Sequence, residues 1–321
     1  MSAAPMQGLD REIRVAGEAK AVRTVRLRLP ATSANLGPGF DAIGLALTLA
    51  LEVEATAADS FSVHATGRNV DICSSLTGNL LIETYLSTQA ANGLARPVPL
   101  ALRVDNGIPL GMGCGSSAAV RLAGVALASH FAGLGWDRGR ILTEASLLER
   151  HPDNAAACWL GGLAVATIED GRVHAATIKP AVEWRILLAL PQLPLATSKA
   201  RAILPSNCSR EDAVANIQRA ALLTAAFSLG RGDLLRVAMQ DRLHQPFRGE
   251  LCPLLPVLLP LAGQEGILGV ALSGAGPAVL LIVESAAAVP QARARIMQLA
   301  AGCAGMELVE CGIELEGAAV A

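Results

Sequence analysis

Aromatic side chains are scarce in this chain: one Tyr, three Trp and five Phe amount to 3% of 321 residues. There is also no long basic run, and the net charge is −2. Little is therefore present to stack on bases or to neutralise a phosphate backbone, and nucleic acid is not expected as a partner. Long apolar runs are missing too. Hydrophobic residues reach 52% and charged residues only 17%, yet Gly, Pro and charges break every run before the roughly 18 residues that a spanning helix needs. No membrane partner is expected. The seven cysteines include no CxxC pair and no nearby histidine spacing, which argues against a zinc site and a disulfide framework. They are expected to be reduced, mostly as small buried hydrophobes. Residues 1–23 carry Asp10, Glu12 and Glu18 and no apolar block, so neither a secretory signal nor an acid-poor transit peptide fits. A flexible leader on a cytoplasmic protein is the expectation. Internal repeats and low-complexity tracts are absent as well.

What is present suggests two structural units of about 150 residues with a cleft between them. Residues 22–30 alternate as a strand does, and after a Gly-rich loop 42–56 continue as one or two more. From Ser116 small and apolar residues recur at helical spacing, 141–149 reads as a second helix stopped by His151-Pro152, and 162–168 as a strand closing the first unit. A turn around Asp170-Gly171 leads towards a strand at 184–190. Next comes a helix with Ser209 as N-cap, Asp212 three residues on, and an apolar stripe of Val214, Ile217 and Ala221. Two strands around a Gly-Pro turn, a helix near 286–301 and a last strand near 306–314 complete the pattern.

The segment richest in chemistry is Pro109, Leu110, Gly111, Met112, Gly113, Cys114, Gly115, Ser116, Ser117, Ala118, Ala119. Three glycines alternate and run straight into a helix. Glycine lets backbone approach an anion closely, and the free amides and dipole at a helix N-terminus favour negative charge. Two serine hydroxyls fall at the helix start, where one can ligate Mg²⁺ and the other can cap or touch phosphate. The pattern GxxxxGK[ST] is absent, so this is not a Walker loop.

PxGxGxGSSAA resembles the nucleotide loop of the GHMP kinases, with Cys114 where Leu is usual. PATSANLGPGFDAIGLAL (30–47) and LSGAGPA (272–278) resemble two further signatures of that superfamily. Three ordered blocks over some 250 residues are far more specific than one. ERHPDN (149–154), the glycine pair at 161–162, TSKARAILP (197–205) and DRLHQPFR (241–248) are similar to the branch that phosphorylates homoserine. The resemblance implies an α+β fold, with a ribosomal-protein-S5-like N-terminal domain (24–172) that binds nucleotide and a ferredoxin-like C-terminal domain (173–321). It implies ATP-dependent phosphorylation of the side-chain hydroxyl of L-homoserine to O-phospho-L-homoserine, in threonine biosynthesis, with a homodimer among the expected assemblies.

Residue by residue, the same resemblance makes the loop from Pro109 to Ala119 the ATP site and gives Mg²⁺ to Ser117 with either Glu149 or Glu144, Glu149 belonging to the ERHPDN block itself. Asn154 would hydrogen-bond the acceptor hydroxyl. Asp153 is either a base or a structural carboxylate. Asn35, Asp41, His151, Thr197, Arg201 and Arg248 would meet the ammonium and carboxylate of the substrate. Taken singly, these residues have plainer readings: Asn35 as a turn residue, His151 as part of a helix stop, Arg248 as surface charge. His244 is read as a packing or hydrogen-bonding residue without a catalytic role. The alternatives are another GHMP small-molecule kinase, of mevalonate or shikimate type, or a non-catalytic GHMP-fold binding protein.

Overall fold

The computed structural model describes residues 24–303 and 305–321; the expected leader and the first two residues of the 22–30 strand lie outside them. The order of elements is β1 (Thr24–Asn35), β2 (Gly39–Ala57), β3 (Ser62–Gly67), α1 (Val70–Cys73), α2 (Leu80–Ala91), β4 (Leu100–Asn106), α3 (Ser116–Phe131), α4 (Arg138–Glu149), α5 (Asp153–Leu160), β5 (Leu163–Glu169) and β6 (Arg172–Ile178). There follow β7 (Arg185–Leu190), α6 (Thr197–Ala202), α7 (Arg210–Leu229), α8 (Leu235–Ala238), α9 (Gln245–Arg248), α10 (Leu254–Leu258), β8 (Ile267–Leu272), β9 (Val279–Val283), α11 (Val289–Leu299), β10 (Glu307–Cys311) and β11 (Ala319–Val320). Among the described residues no helix is long and apolar enough to cross a membrane.

Seven strands form the first sheet, in the order β11-β1-β2-β4-β3, with β5 paired to β2 and β6 to β5. The 19-residue β2 makes this possible. Its first part pairs with β5 through Ile43–Leu45 and its second part with β4 through Leu51–Ala57. β1 runs through PATSAN rather than stopping at Pro30, so the expected Gly-rich loop shrinks to residues 36–38. The second sheet has the order β10-β7-β9-β8. With α7 and α11 between its strands it is a βαββαβ, ferredoxin-like unit, as expected. An interdomain boundary at 172–173 would cut β6 from its partner β5, with which it pairs from Leu163↔Ile178 to Glu169↔Arg172. A boundary after Ile178 suits the sheets better, with the chain end returning to β1 as β11.

Period-2 alternation divides the second sheet between two cores. Ile186, Leu188, Leu280 and Ile282 pack in one with Phe227 of α7, while Leu187, Ala189, Leu281 and Val283 pack in the other with α10 and α11. A sheet covered on both faces needs apolar residues at every position, which is why RILLAL and VLLIV show no polar alternation.

Ser209 caps α7 as expected, accepting from Asp212 N at 3.0 Å. The expected stripe is a correction: Val214 and Ile217 are 45% and 69% exposed, and Ala221 is exposed too. The buried positions of α7 are Asn216, Leu223, Ala226 and Phe227. A hydrophobicity reading passes over Asn216, although its polar side chain is satisfied inside, on Asp241 Oδ1 at 2.7 Å.

All seven cysteines are free thiols. Burial pushes Cys114 and Cys311 up to about 12 and Cys252 to about 11, so the reactive thiolate is suppressed. Thermal unfolding with and without reductant is expected to give the same melting temperature. A large fall on adding reductant would show a supporting disulfide.

Candidate functional site

Two glycines show why the loop ahead of α3 has the sequence it has. Gly113 (φ +76°) and Gly115 (φ +69°) are in the left-handed region, where side chains are strained. Space forbids them as well: a Cβ on Gly113 would lie 2.1 Å from Ser273 O, and one on Gly115 would lie 1.8 Å from Thr32 Oγ1. The glycines thus let the three signature blocks touch. Ser273 Oγ lies 2.9 Å from both Ser33 Oγ and Gly113 O, and its single hydrogen serves one of them at a time. Thr32 N bonds Cys114 O, Gly274 N bonds Ala34 O, and Ala278 N bonds Met112 O.

Among the described residues no side chain caps α3 at its N-terminus. The residues of its first turn, Ser116, Ser117 and Ala118, line a cleft of about 280 Å³ together with Gly111, Gly113, Cys114 and Gly115. Uncapped amides and the helix dipole suit a phosphate there. Of the expected nucleotide residues, Pro109, Leu110, Met112 and Ala119 do not line this cleft; Ala119 is buried in the core instead. A wider depression of about 470 Å³ lies on the solvent face of the first sheet, among Arg26, Glu52, Glu54, His64 and Arg103. It contains none of the motif residues, so we place the chemistry in the smaller cleft.

The structure brings Glu149, not Glu144, to Ser117: the hydroxyl donates to Glu149 Oε1 at 2.5 Å. Glu144 pairs with Arg140 at 2.5 Å along α4. Five residues apart on one helix, the two carboxylates point about 140° apart, so only one can reach the cleft. Arg121 Nε is 2.7 Å from the same Glu149 oxygen but off the line of a hydrogen bond, which makes it a contact ion pair. A hydroxyl beside a carboxylate is a hard-oxygen pair of the kind Mg²⁺ takes, with phosphate oxygens and water completing the shell. The donor set therefore fits the ion.

The other end of the cleft is built from the turn after β1 and from α5, which the sequence reading did not anticipate. There His151-Pro152 not only ends α4 but leads directly into a new helix at Asp153. Asp153 Oδ1 accepts from His151 Nδ1 at 2.7 Å, from Asn154 N at 2.7 Å and from Asn154 Nδ2 at 3.1 Å. Thr32 Oγ1 donates to Asn154 Oδ1 at 2.7 Å, which fixes the amide and leaves one Nδ2 hydrogen uncommitted. Burial works against a charged His151, but the hydrogen bond and charge of Asp153, with Asp41 adding, outweigh it and raise its pKa above the ordinary histidine value.

Arg201 forms a two-bond fork with Asp41, Nη1 to Oδ2 at 2.9 Å and Nη2 to Oδ1 at 2.6 Å. Asn35 Oδ1 accepts from Asp41 N at 3.0 Å, and Asn35 Nδ2 donates to Gly274 O at 2.8 Å. Arg248, only 1% exposed, donates from Nε to Ala200 O at 3.1 Å. Thr197, at the start of α6, lines the cleft and is exposed. All six expected substrate residues thus share one cleft. The sequence reading missed Thr32, Ser33 and Phe40. Each lies inside the quoted 30–47 block, so position in the motif was the available signal.

A phosphate cradle opening on a socket with both signs of charge suits phosphoryl transfer to a small polar acceptor, and a first unit of this kind joined to a ferredoxin-like second is the two-domain plan expected of a GHMP kinase. The comparisons agree. Residues 79–162 match the GHMP kinases N terminal domain and 212–299 the GHMP kinases C terminal. A homoserine kinase of Solibacter usitatus is 45% identical over 80% of this chain and 84% of its own length. One of Desulfitobacterium hafniense is 39% identical over 92% and 99%. Among solved structures, homoserine kinase from Cytophaga hutchinsonii superimposes with a TM-score of 0.78 at 24% identity, over 93% of this chain and 98% of the other. The chain belongs to the homoserine kinase family of the GHMP kinases.

Proposed function

We propose that this protein transfers the γ-phosphoryl group of ATP to the side-chain hydroxyl of L-homoserine, giving O-phospho-L-homoserine. The observation that carries the reading is the Arg201–Asp41 fork in the same cleft as the uncapped N-terminus of α3. A zwitterionic amino acid needs both signs of charge, and here they neutralise each other until it arrives. Mevalonate or shikimate has a carboxylate but no ammonium, and gives Asp41 no partner.

The chain's own groups divide the work. The glycine loop and the α3 amides hold the β- and γ-phosphates. Ser117 and Glu149 would hold Mg²⁺, which when bound neutralises charge on the phosphate oxygens. Arg201 takes the substrate carboxylate, and Asp41 with the Asn35 loop takes the ammonium. Asn154, locked by Thr32, offers its remaining Nδ2 hydrogen to the acceptor oxygen. Three donors already sit on Asp153 Oδ1, so we assign Asp153 to orienting His151 and Asn154 rather than to taking a proton. A loose transition state leaves the attacking hydroxyl largely protonated and needs little from a base.

ADP release measured over L-homoserine, L-serine, mevalonate and shikimate tests this. The highest kcat/KM is expected with L-homoserine; preference for mevalonate or shikimate would overturn it.

A further inference from the structure

His244 lies behind the cleft, 0% exposed, between two neighbours that together dictate its protonation. Its Nε2 is 2.8 Å from Gly37 O, and its Nδ1 is 3.2 Å from Arg248 Nη1. A carbonyl oxygen can only accept and a guanidinium can only donate. Nε2 must therefore hold the hydrogen and Nδ1 the lone pair, and no other form of the ring satisfies both. Asp241 does not disturb this. Its Oδ2 is 3.7 Å from Nε2, too long for a hydrogen bond, and accepts from the His244 and Gln245 amides at 2.8 and 2.6 Å. Its Oδ1 takes Leu243 N and Asn216 Nδ2 at 3.0 and 2.7 Å.

The imidazole also stacks on Phe40, with centroids 5.2 Å apart and planes at 27°. Over that same Phe40 ring stand both guanidiniums of the acceptor end, Arg201 at 5.6 Å and Arg248 at 5.4 Å. The remaining contacts of Arg248 Nη1 and Nε are carbonyls, Gly274 O at 3.3 Å and Ala200 O at 3.1 Å. His244 is thus the only side chain within hydrogen-bond reach of the Arg248 guanidinium among the described residues. Charged groups around the imidazole are Asp241, Arg248 and Asp41. Burial has the largest influence and, with Arg248 adding, lowers the pKa against the pull of Asp241, Gly37 O and Asp41.

We propose that His244 is a positioning residue: held neutral with its hydrogen on Nε2, it uses the Nδ1 lone pair to aim Arg248 at the carboxylate end of the acceptor site. The assignment of that end rests on the function proposed above, but the form of the ring does not.

Two measurements test it. In the ¹⁵N spectrum of histidine-labelled wild-type protein at neutral pH, the His244 ring, assigned by its loss in a variant, is expected to show a pyridine-like Nδ1 and a pyrrole-like Nε2. A cationic ring or the opposite tautomer would overturn the proposal whatever the substrate proves to be. Kinetically, His244→Gln keeps a donor near the Nε2 position and deletes the acceptor at Nδ1, whereas His244→Asn keeps an acceptor near Nδ1. His244→Gln is expected to raise KM for the acceptor about tenfold, as loss of a hydrogen bond to a charged group does, with KM for ATP and kcat little changed. His244→Asn is expected to recover most of the loss. Equal damage from both, or an acceptor KM unchanged in His244→Gln, would reduce His244 to a packing residue. The acceptor used is whichever the substrate panel prefers, so failure of the homoserine reading and failure of this one are distinguishable.

Discussion

Replacing Ser117 by alanine is expected to lower kcat by about 100-fold or more while the protein remains folded. Ser117 is exposed and its hydroxyl bonds Glu149 Oε1, so little stability is lost; surface changes of this kind usually fall within about 0.5 kcal/mol. The kinetic loss has another origin. An ion ligand whose interaction strengthens as charge moves onto the phosphoryl oxygens acts on the transition state more than on bound ATP. Stabilisation of that kind amounts to several kcal/mol, and about 1.4 kcal/mol is tenfold in rate. Ser117→Thr keeps the hydroxyl and is expected to retain activity. Ser117→Cys offers a softer ligand, so a softer ion such as Zn²⁺ should serve it better relative to Mg²⁺ than it serves the wild type. Near-wild-type kcat for Ser117→Ala would show that the ion is held elsewhere.

Arg201→Ala is expected to cost at least about tenfold in kcat/KM for L-homoserine and to leave KM for ATP nearly unchanged. Charge-assisted bonds contribute roughly 1.5–3 kcal/mol each where partly desolvated, and about 1.4 kcal/mol is tenfold. The lower bound is the appropriate one here for a structural reason. Arg201 is already forked on Asp41, and both side chains are about a third exposed, so a substrate carboxylate replaces a partner rather than meeting a bare cation. Lysine at 201 is expected to restore only part of the loss, because a point charge cannot make two parallel bonds. Asp41→Asn should also weaken homoserine, through the ammonium end. If Arg201→Ala left kcat/KM for homoserine unchanged, the carboxylate would have to be bound by another group.

The three glycine-bearing blocks were legible because what they do is local. A positive φ and close backbone approach are demands on one residue, and Gly113 and Gly115 state them in the sequence itself. Likewise Ser209 is a cap because a serine hydroxyl reaches its own third-following amide, whatever the rest of the chain does. The strands of the second sheet were legible as strands for a similar reason, being short apolar runs bounded by turn residues. Pairings between distant residues could not be declared in this way. Glu149 and Glu144 are the same residue type and sit on one helix; only the rotation of α4 about its axis, set by packing, turns Glu149 towards Ser117. The stripe on α7 was misread for the same reason, since burial of a helix face follows from what covers it, and here Asp241 and the turn at Pro38 cover Asn216. His244 reads from sequence as one more histidine. Its tautomer depends on Gly37 O, 207 residues away in the chain, and on an arginine that donates to it from one helical turn further along. Chain order specifies which groups are available for a site, but contact between β1, α5 and α9 decides which lone pair each group has left to use.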